Sequence, residues 1–210
     1  MLVKVCGIRD LDELRAAQSA DLIGVVVKSR SPKSLSLSRA KELMDSSPRP
    51  VALVSDTTSF EDWLEVLQAK PHAIQVHSPL SPDDFNRLRR LFKGILIKSF
   101  IVPPVVADPE AEASRLARLM ELYDADYYLI DSGSASGRQH DLRVSKLLAP
   151  RYPLIVAGGL NPDNVQFVVK YVRPAGVDAS SGLEKLGRKD PEKVARFAEE
   201  AKRAAVVEGI

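Results

Sequence analysis

The feature that most constrains this chain is a regular alternation. Short apolar runs give way, eight times over, to segments with helical spacing. The expected strands are Met1–Val5, Leu22–Val27, Pro50–Ser55, Ala73–His77, Gly94–Phe100, Tyr127–Asp131, Leu154–Ala157 and Ala175–Asp178. Between and after them come segments with helix signals. Asp10 caps a helix to about Ser19, with Glu13 three residues on in a capping-box arrangement. Ser36–Ser46, Phe60–Gln68, Ser81–Phe92, Pro109–Tyr123, Leu142–Leu148, Pro162–Tyr171 (capped by Asn161) and Asp190–Val207 follow. Parallel strands need a crossover, and helices supply it. The strands are near-continuously apolar, as expected when both faces are covered.

Eight such units predict an α/β fold that closes into a (β/α)8 barrel, the TIM-barrel architecture. An open doubly wound sheet is the competitor. It lacks support because no Gly-x-Gly-x-x-Gly follows the first strand. No linker or low-complexity stretch interrupts the 210 residues, so one domain, 1–210, is expected. Hydrophobic residues make up 45% of the chain, enough for a substantial core.

Charge narrows the partners. The formal net charge is +2, with 30 basic and 28 acidic residues spread along the length. There is no basic block, so neither nucleic acid nor a membrane surface is expected as a partner. One Cys and three His make a metal site or disulfide a poor expectation. The longest apolar run, Leu22–Val27, is too short for a bilayer. The chain enters its first strand with no charged-then-apolar leader, and a cytoplasmic protein is expected.

In such a barrel, chemistry lies at the carboxyl ends of the strands. The polar residues there are Cys6, Gln75 and His77, Asp131, Gly158–Gly159, and Asp178 with Ser180–Ser181. Alternation puts Lys4 and Cys6 on one face, and a buried ammonium so near would favour a thiolate. Core packing is the plainer reading of a lone cysteine. Asp131 ends the apolar run Tyr127–Ile130 with no helix for about ten residues, so capping does not account for it.

Gly158–Gly159 and Ser180–Ser181–Gly182 follow the last two strands. These are the positions of the phosphate site common in this fold, although turn chemistry alone would also suit them. The Ser134–Gln139 stretch before His140 reads as a lid loop or an ordinary surface loop, with Asp141 capping the next helix. His77 reads as packing or as support for a neighbouring site residue. Trp63, Tyr127 and Tyr128 read as core residues.

Five stretches together resemble one family: Val3–Ile8, Ile74–His77, Leu129–Ser132, Ala157–Val165 and Gly176–Glu184. Their order and content are similar to phosphoribosylanthranilate isomerase of tryptophan biosynthesis. The resemblance implies a barrel that performs an Amadori rearrangement with neither metal nor organic cofactor. It would convert N-(5-phosphoribosyl)anthranilate to 1-(2-carboxyphenylamino)-1-deoxyribulose 5-phosphate. It implies Cys6 as general base and Asp131 as general acid. Asp178 would lie beside the substrate amine, and Gly158, Gly159, Ser180, Ser181 and Gly182 would hold phosphate.

The family usually carries an Arg for the anthranilate carboxylate in the loop after the second strand. Aligned on Ser31-Pro32 and Leu35, this chain has Lys33, which cannot make a bidentate fork. Arg30 or Lys33 is therefore the expected carboxylate ligand. The implied partner is a small phosphosugar substrate, for a monomer or homodimer. A related phosphosugar epimerase or synthase, or a catalytically idle phosphate-binding barrel, are the competing readings. Scarce His argues against a metal-dependent epimerase, and the joint presence of Cys6 and Asp131 argues against the idle barrel.

Overall fold

The computed structural model describes residues 1–133 and 137–210. Eight parallel strands close in sequence order: β1 (Leu2–Cys6), β2 (Leu22–Val26), β3 (Val51–Ser55), β4 (Ala73–Val76), β5 (Ile95–Ile101), β6 (Tyr127–Asp131), β7 (Leu154–Val156) and β8 (Gly176–Ala179). β8 pairs back onto β1, with Lys4 opposite Asp178. The helices are α1 (Leu11–Ala16), α2 (Leu37–Ser46), α3 (Phe60–Gln68), α4 (Pro82–Leu91), α5 (Pro109–Met120), α6 (Leu142–Leu148), α7 (Val165–Val172) and α8 (Pro191–Glu208). No helix among the described residues is long and apolar enough to cross a membrane.

Local chemistry explains most boundaries. Ser36, Ser59, Ser81, Asp108, Asp141 and Asp190 each accept a backbone N–H of the first helical turn, worth about 1 kcal/mol apiece. Pro82, Pro109 and Pro191 occupy first-turn positions where no N–H is needed.

Two apolar layers hold the fold. The larger lies between barrel and helices and includes Trp63, Phe85, Phe197 and Tyr128, all buried. The smaller fills the barrel itself with Leu22, Ala52, Ala73, Ile97, Leu129, Ile155 and Ala157. Strand alternation then places Lys4, Cys6, Gln75, Ser99, Asp131 and Asp178 on the inward faces.

Several local features differ from expectation. α1 ends at Ala16 rather than near Ser19. The chain must turn there to bring Asp21 under the barrel, where it accepts from Val3 N at 2.9 Å. The Glu13 carboxylate reaches past Asp10 to the N–H of Arg9, so the capping box is displaced by one residue. α7 starts at Val165, after Asn164 rather than Asn161. Asn161 Oδ1 instead accepts from Asp163 N and Asn164 N, and Asn164 Oδ1 accepts from Asn161 N. That reciprocal pair holds the loop leaving β7.

A two-stranded hairpin, β9 (Glu184–Lys185) and β10 (Arg188–Lys189), was not expected. Its turn residues Leu186 and Gly187 both adopt positive φ, at 51° and 74°. Leucine rarely adopts that conformation, which hid the turn.

Candidate active site

β1 and β8 build one side of the mouth. Lys4 Nζ donates to Asp178 Oδ2 at 2.9 Å, and the two side chains are 0% and 9% exposed. Among the described residues, Asp178 Oδ1 is buried without a hydrogen-bond partner. Cys6, one strand step nearer the mouth than Lys4, is partly exposed. Gly24 on β2 gives the thiol its room: a Cβ there would lie 2.7 Å from Cys6 Sγ.

The electrostatics correct one expectation. Burial pushes the Cys6 thiol up, and Lys4 does not reverse this. The reason is that Lys4 is already engaged by Asp178, whose own charge also raises the thiol. Burial pulls the Lys4 ammonium down, but Asp178 and Cys6 outweigh it and hold it above the ordinary lysine range. Burial raises the Asp178 carboxyl, against the pull of Lys4.

β4, β5 and β6 build the opposite side. Asp131 is half-buried, and its Oδ1 accepts from Ser132 Oγ at 3.3 Å and Gly133 N at 3.4 Å. His77 Nε2 lies 3.9 Å from Asp131 Oδ2. Burial holds the His77 imidazole below its ordinary range, despite Asp131. Gln75 Nε2 lies 3.4 Å from His77 Nδ1 and donates to Ser99 Oγ at 3.2 Å. His77 therefore neighbours Asp131 and is not merely packed. Gly158 leaves space for Asp131 as well: its Cβ would meet Asp131 Oδ1 at 2.8 Å.

The glycines of the last two loops do come together. Gly158 and Gly159 have φ of 85° and 65°, conformations that disfavour a side chain. A Cβ on Gly182 would lie 2.0 Å from Leu160 O, so only glycine lets the loop after β8 touch the loop after β7. Ser181 and Gly182 lie in a single 3-10 turn, Ser181–Leu183. Asn164 Nδ2 fixes Gly159 O at 2.9 Å.

Of the two candidate carboxylate ligands, Lys33 reaches the mouth. Its Nζ donates to Ser180 Oγ at 3.0 Å and to Glu184 Oε1 at 2.5 Å. Arg30 is exposed on the same loop and forms no ion pair among the described residues. Sequence reasoning missed Lys189, whose side chain is 0% exposed and whose Nζ donates to Glu184 Oε1 at 2.8 Å. A hairpin across Leu186–Gly187 would have signalled that pairing.

His140 is not part of a lid. It is buried, with Nε2 2.6 Å from Ser145 Oγ and Nδ1 3.3 Å from Ala157 O. Burial pulls its pKa down to about 4, so it is a neutral brace between β7 and α6. Residues 134–136 of the expected lid lie outside the described residues. Asp141 caps α6 as expected. Among the described residues, no group of three or more His, Cys, Asp or Glu is placed to hold a metal ion.

The chain is similar to known proteins over nearly its whole length. A family model described as N-(5'phosphoribosyl)anthranilate (PRA) isomerase matches residues 3–200. The N-(5'-phosphoribosyl)anthranilate isomerase of Pyrococcus furiosus is 45% identical over 204 residues, covering 96% of this chain and 98% of that one. A solved structure of that enzyme superposes with a TM-score of 0.89 at 43% identity, over 97% of this chain and 99% of that chain. A further solved isomerase, in complex with reduced 1-(o-carboxyphenylamino)-1-deoxyribulose 5-phosphate, gives 0.77 at 27% identity over 97% and 100%. Matched from its first strand into its last helix, and at high identity over nearly its whole length, the chain belongs to the N-(5'-phosphoribosyl)anthranilate isomerase family.

Proposed function

We infer that Cys6 and Asp131 carry the reaction, with Asp178 holding the reacting amine between them. The chain is an isomerase of tryptophan biosynthesis that converts N-(5'-phosphoribosyl)anthranilate to 1-(2-carboxyphenylamino)-1-deoxyribulose 5-phosphate. The observation that carries the assignment of roles is Asp178 Oδ1, buried and without a hydrogen-bond partner among the described residues. An acceptor so placed calls for an N–H donor, and leaving it unpaired costs about 1–3 kcal/mol.

The steps follow from the chemistry of each group. Asp131, as general acid, gives a proton to the furanose ring oxygen. The C1–O bond breaks and the nitrogen lone pair forms a cationic Schiff base. That cation lies against Asp178 and offsets the charge that opposes ionisation of Cys6. Cys6 then releases its proton to solvent, with Lys4 left to favour the thiolate, and the thiolate takes the C2 proton. The C–H electrons move to form C1=C2 and neutralise the nitrogen. The resulting enolamine tautomerises to the ketone. The rise of the Cys6 thiol in the free protein thus fits a base whose ionisation is favoured late, by the intermediate itself. Ring opening precedes proton abstraction for this reason.

The phosphate is read at Gly158, Gly159, Ser180, Ser181 and Gly182. Glycines of positive φ and the contact of the two loops support this reading, as does the position after the last two strands. Lys33 is the ligand read for the aryl carboxylate, by its reach to Ser180 beside Cys6. The substrate is a small phosphosugar conjugate.

The test is turnover of substrate generated in situ, followed by loss of its fluorescence. Cys6→Ser and Asp131→Asn are each expected to reduce kcat by at least about 10²-fold, the scale of a lost general acid or base. Full rate in either variant removes that residue from its role. Asp178→Asn, which keeps an acceptor oxygen but not the charge, is expected to lower kcat more than it raises KM.

A further inference from the structure

Two lysines from distant parts of the chain converge on one carboxylate at the mouth. Lys33 comes from the loop after β2, and Lys189 from β10. Both donate to the same oxygen, Glu184 Oε1, at 2.5 and 2.8 Å. Both also reach Ser180 Oγ, at 3.0 and 3.3 Å, and that hydroxyl donates to Cys6 O at 2.9 Å. The cluster therefore adjoins the base, and no step of the reaction uses Glu184.

The two lysines are not equivalent. The Lys189 side chain is fully buried, and its Nζ is also held by Ser180 O at 3.1 Å. Lys33 is 23% exposed and lies flat across Gly7, where a Cβ would meet its Cδ at 2.9 Å. One lysine is fixed and the other can swing. Ser180 lies just past the end of β8, two residues beyond Asp178, and its hydroxyl stands at Cys6 O at the mouth. A carboxylate ortho to an amine held by Asp178 falls within reach of the swinging ammonium.

We propose that Glu184 is a resident substitute for the substrate's aryl carboxylate, occupying Lys33 in the free enzyme and giving it up when substrate binds. This rests on the reading of Lys33 as the carboxylate ligand. The exchange replaces one carboxylate with another, so Lys33 is never left without a counter-charge. Glu184 keeps Lys189 throughout, so no buried carboxylate is orphaned. Ligands lacking the carboxylate leave the Lys33–Glu184 pair intact, whereas a carboxylated ligand must break it, so the exchange lowers the net preference for the carboxylate while it keeps Lys33 neutralised and positioned in the free enzyme. Burial pushes the Glu184 carboxyl up, but Lys189 and Lys33 outweigh it and hold the group below its ordinary range. Departure of Lys33 should therefore raise it.

The experiment compares two probes: reduced 1-(o-carboxyphenylamino)-1-deoxyribulose 5-phosphate and the same compound without the carboxyl. Kd for each is measured by calorimetry on the wild type, Glu184→Gln and Lys33→Met. Removing the competitor in Glu184→Gln is expected to increase the preference for the carboxylated probe about fivefold, the scale of one part-exposed ion pair. Lys33→Met is expected to abolish the preference. If Lys33→Met keeps the preference, the reading of Lys33 fails. If Lys33→Met abolishes it while Glu184→Gln changes both probes alike or lowers the preference, Lys33 stands and the exchange is overturned.

A measurement on the unaltered protein covers the case in which Glu184→Gln does not fold. The ¹³C-carboxyl titration of Glu184 should shift upward with the carboxylated probe and stay put with the other. An unchanged titration with both probes overturns the proposal.

Discussion

Lys98 offers the sharpest quantitative test of how this barrel is held together. It lies on β5, pointing away from the barrel axis into the layer beneath the helices. Its Nζ donates to Ser78 O at 2.9 Å and Ser99 O at 2.8 Å, and lies 4.7 and 5.1 Å from the ring centroids of Phe100 and Tyr123. Among the described residues no carboxylate pairs with it. Burial alone lowers its pKa from 10.5 to about 8. At about 1.36 kcal/mol for each pH unit, that fall corresponds to about 3 kcal/mol.

The sign follows from proton counts. Between pH 8 and 10.5 the unfolded chain keeps this proton and the folded chain has released it. Stability therefore rises with pH across that window, and the full cost of burying the charge is felt below pH 8. Lys98→Met removes the titration and keeps most of the volume. It also leaves two carbonyls without their donor, at about 1–3 kcal/mol each, but that loss does not depend on pH.

The measurement is urea unfolding of both proteins from pH 6.5 to 10.5. Groups common to both cancel in the difference. Wild type should gain about 3 kcal/mol on the variant between pH 8 and 10.5. A difference that is flat across the window, or that runs the other way, would refute the claim that a buried, unpaired ammonium is present.

Further predictions concern the site and its braces. Gly24→Ala should leave the fold intact but push the thiol out of line, since its Cβ would come within 2.7 Å of Cys6 Sγ; kcat should fall about 10²-fold in the fluorescence assay. Gly182→Ala should part the loops after β7 and β8, because its Cβ would lie 2.0 Å from Leu160 O. Its KM should rise at least tenfold, with destabilisation of about 1–3 kcal/mol by denaturant unfolding. His140, drawn down from 6.5 to about 4 by burial, contributes stability that is present above pH 6.5 and lost as pH falls to about 4. Acid unfolding of His140→Gln should lack that component, which is worth about 3 kcal/mol in the wild type.

The architecture was legible because each level of the sequence pointed the same way. Apolar runs of strand length, helical spacing between them, and caps at Asp10 and Asp141 all agreed on eight units. Strand ends also located Cys6, Asp131 and Asp178, since polar residues that close apolar runs stand out by contrast. Where caps competed with other duties, the reading slipped. Asn161 has the composition of a cap but is used to hold the β7 loop, and Leu186 adopts a turn conformation that its side chain does not advertise.

What the sequence determined by itself, then, was the order of the strands and which residues end them, because side-chain alternation and helix periodicity are local properties. Only the closed barrel decided how those ends act on one another. Lys4 and Asp178 are 174 residues apart, and closure makes them one buried ion pair. That pairing uses up the charge expected to ionise Cys6, and so reverses the expected direction of the thiol's shift. Lys33, Lys189 and Glu184 likewise form a cluster only where β1 meets β8. Charge balance in a low-dielectric mouth depends on distances across the barrel, and no stretch of chain carries those distances alone.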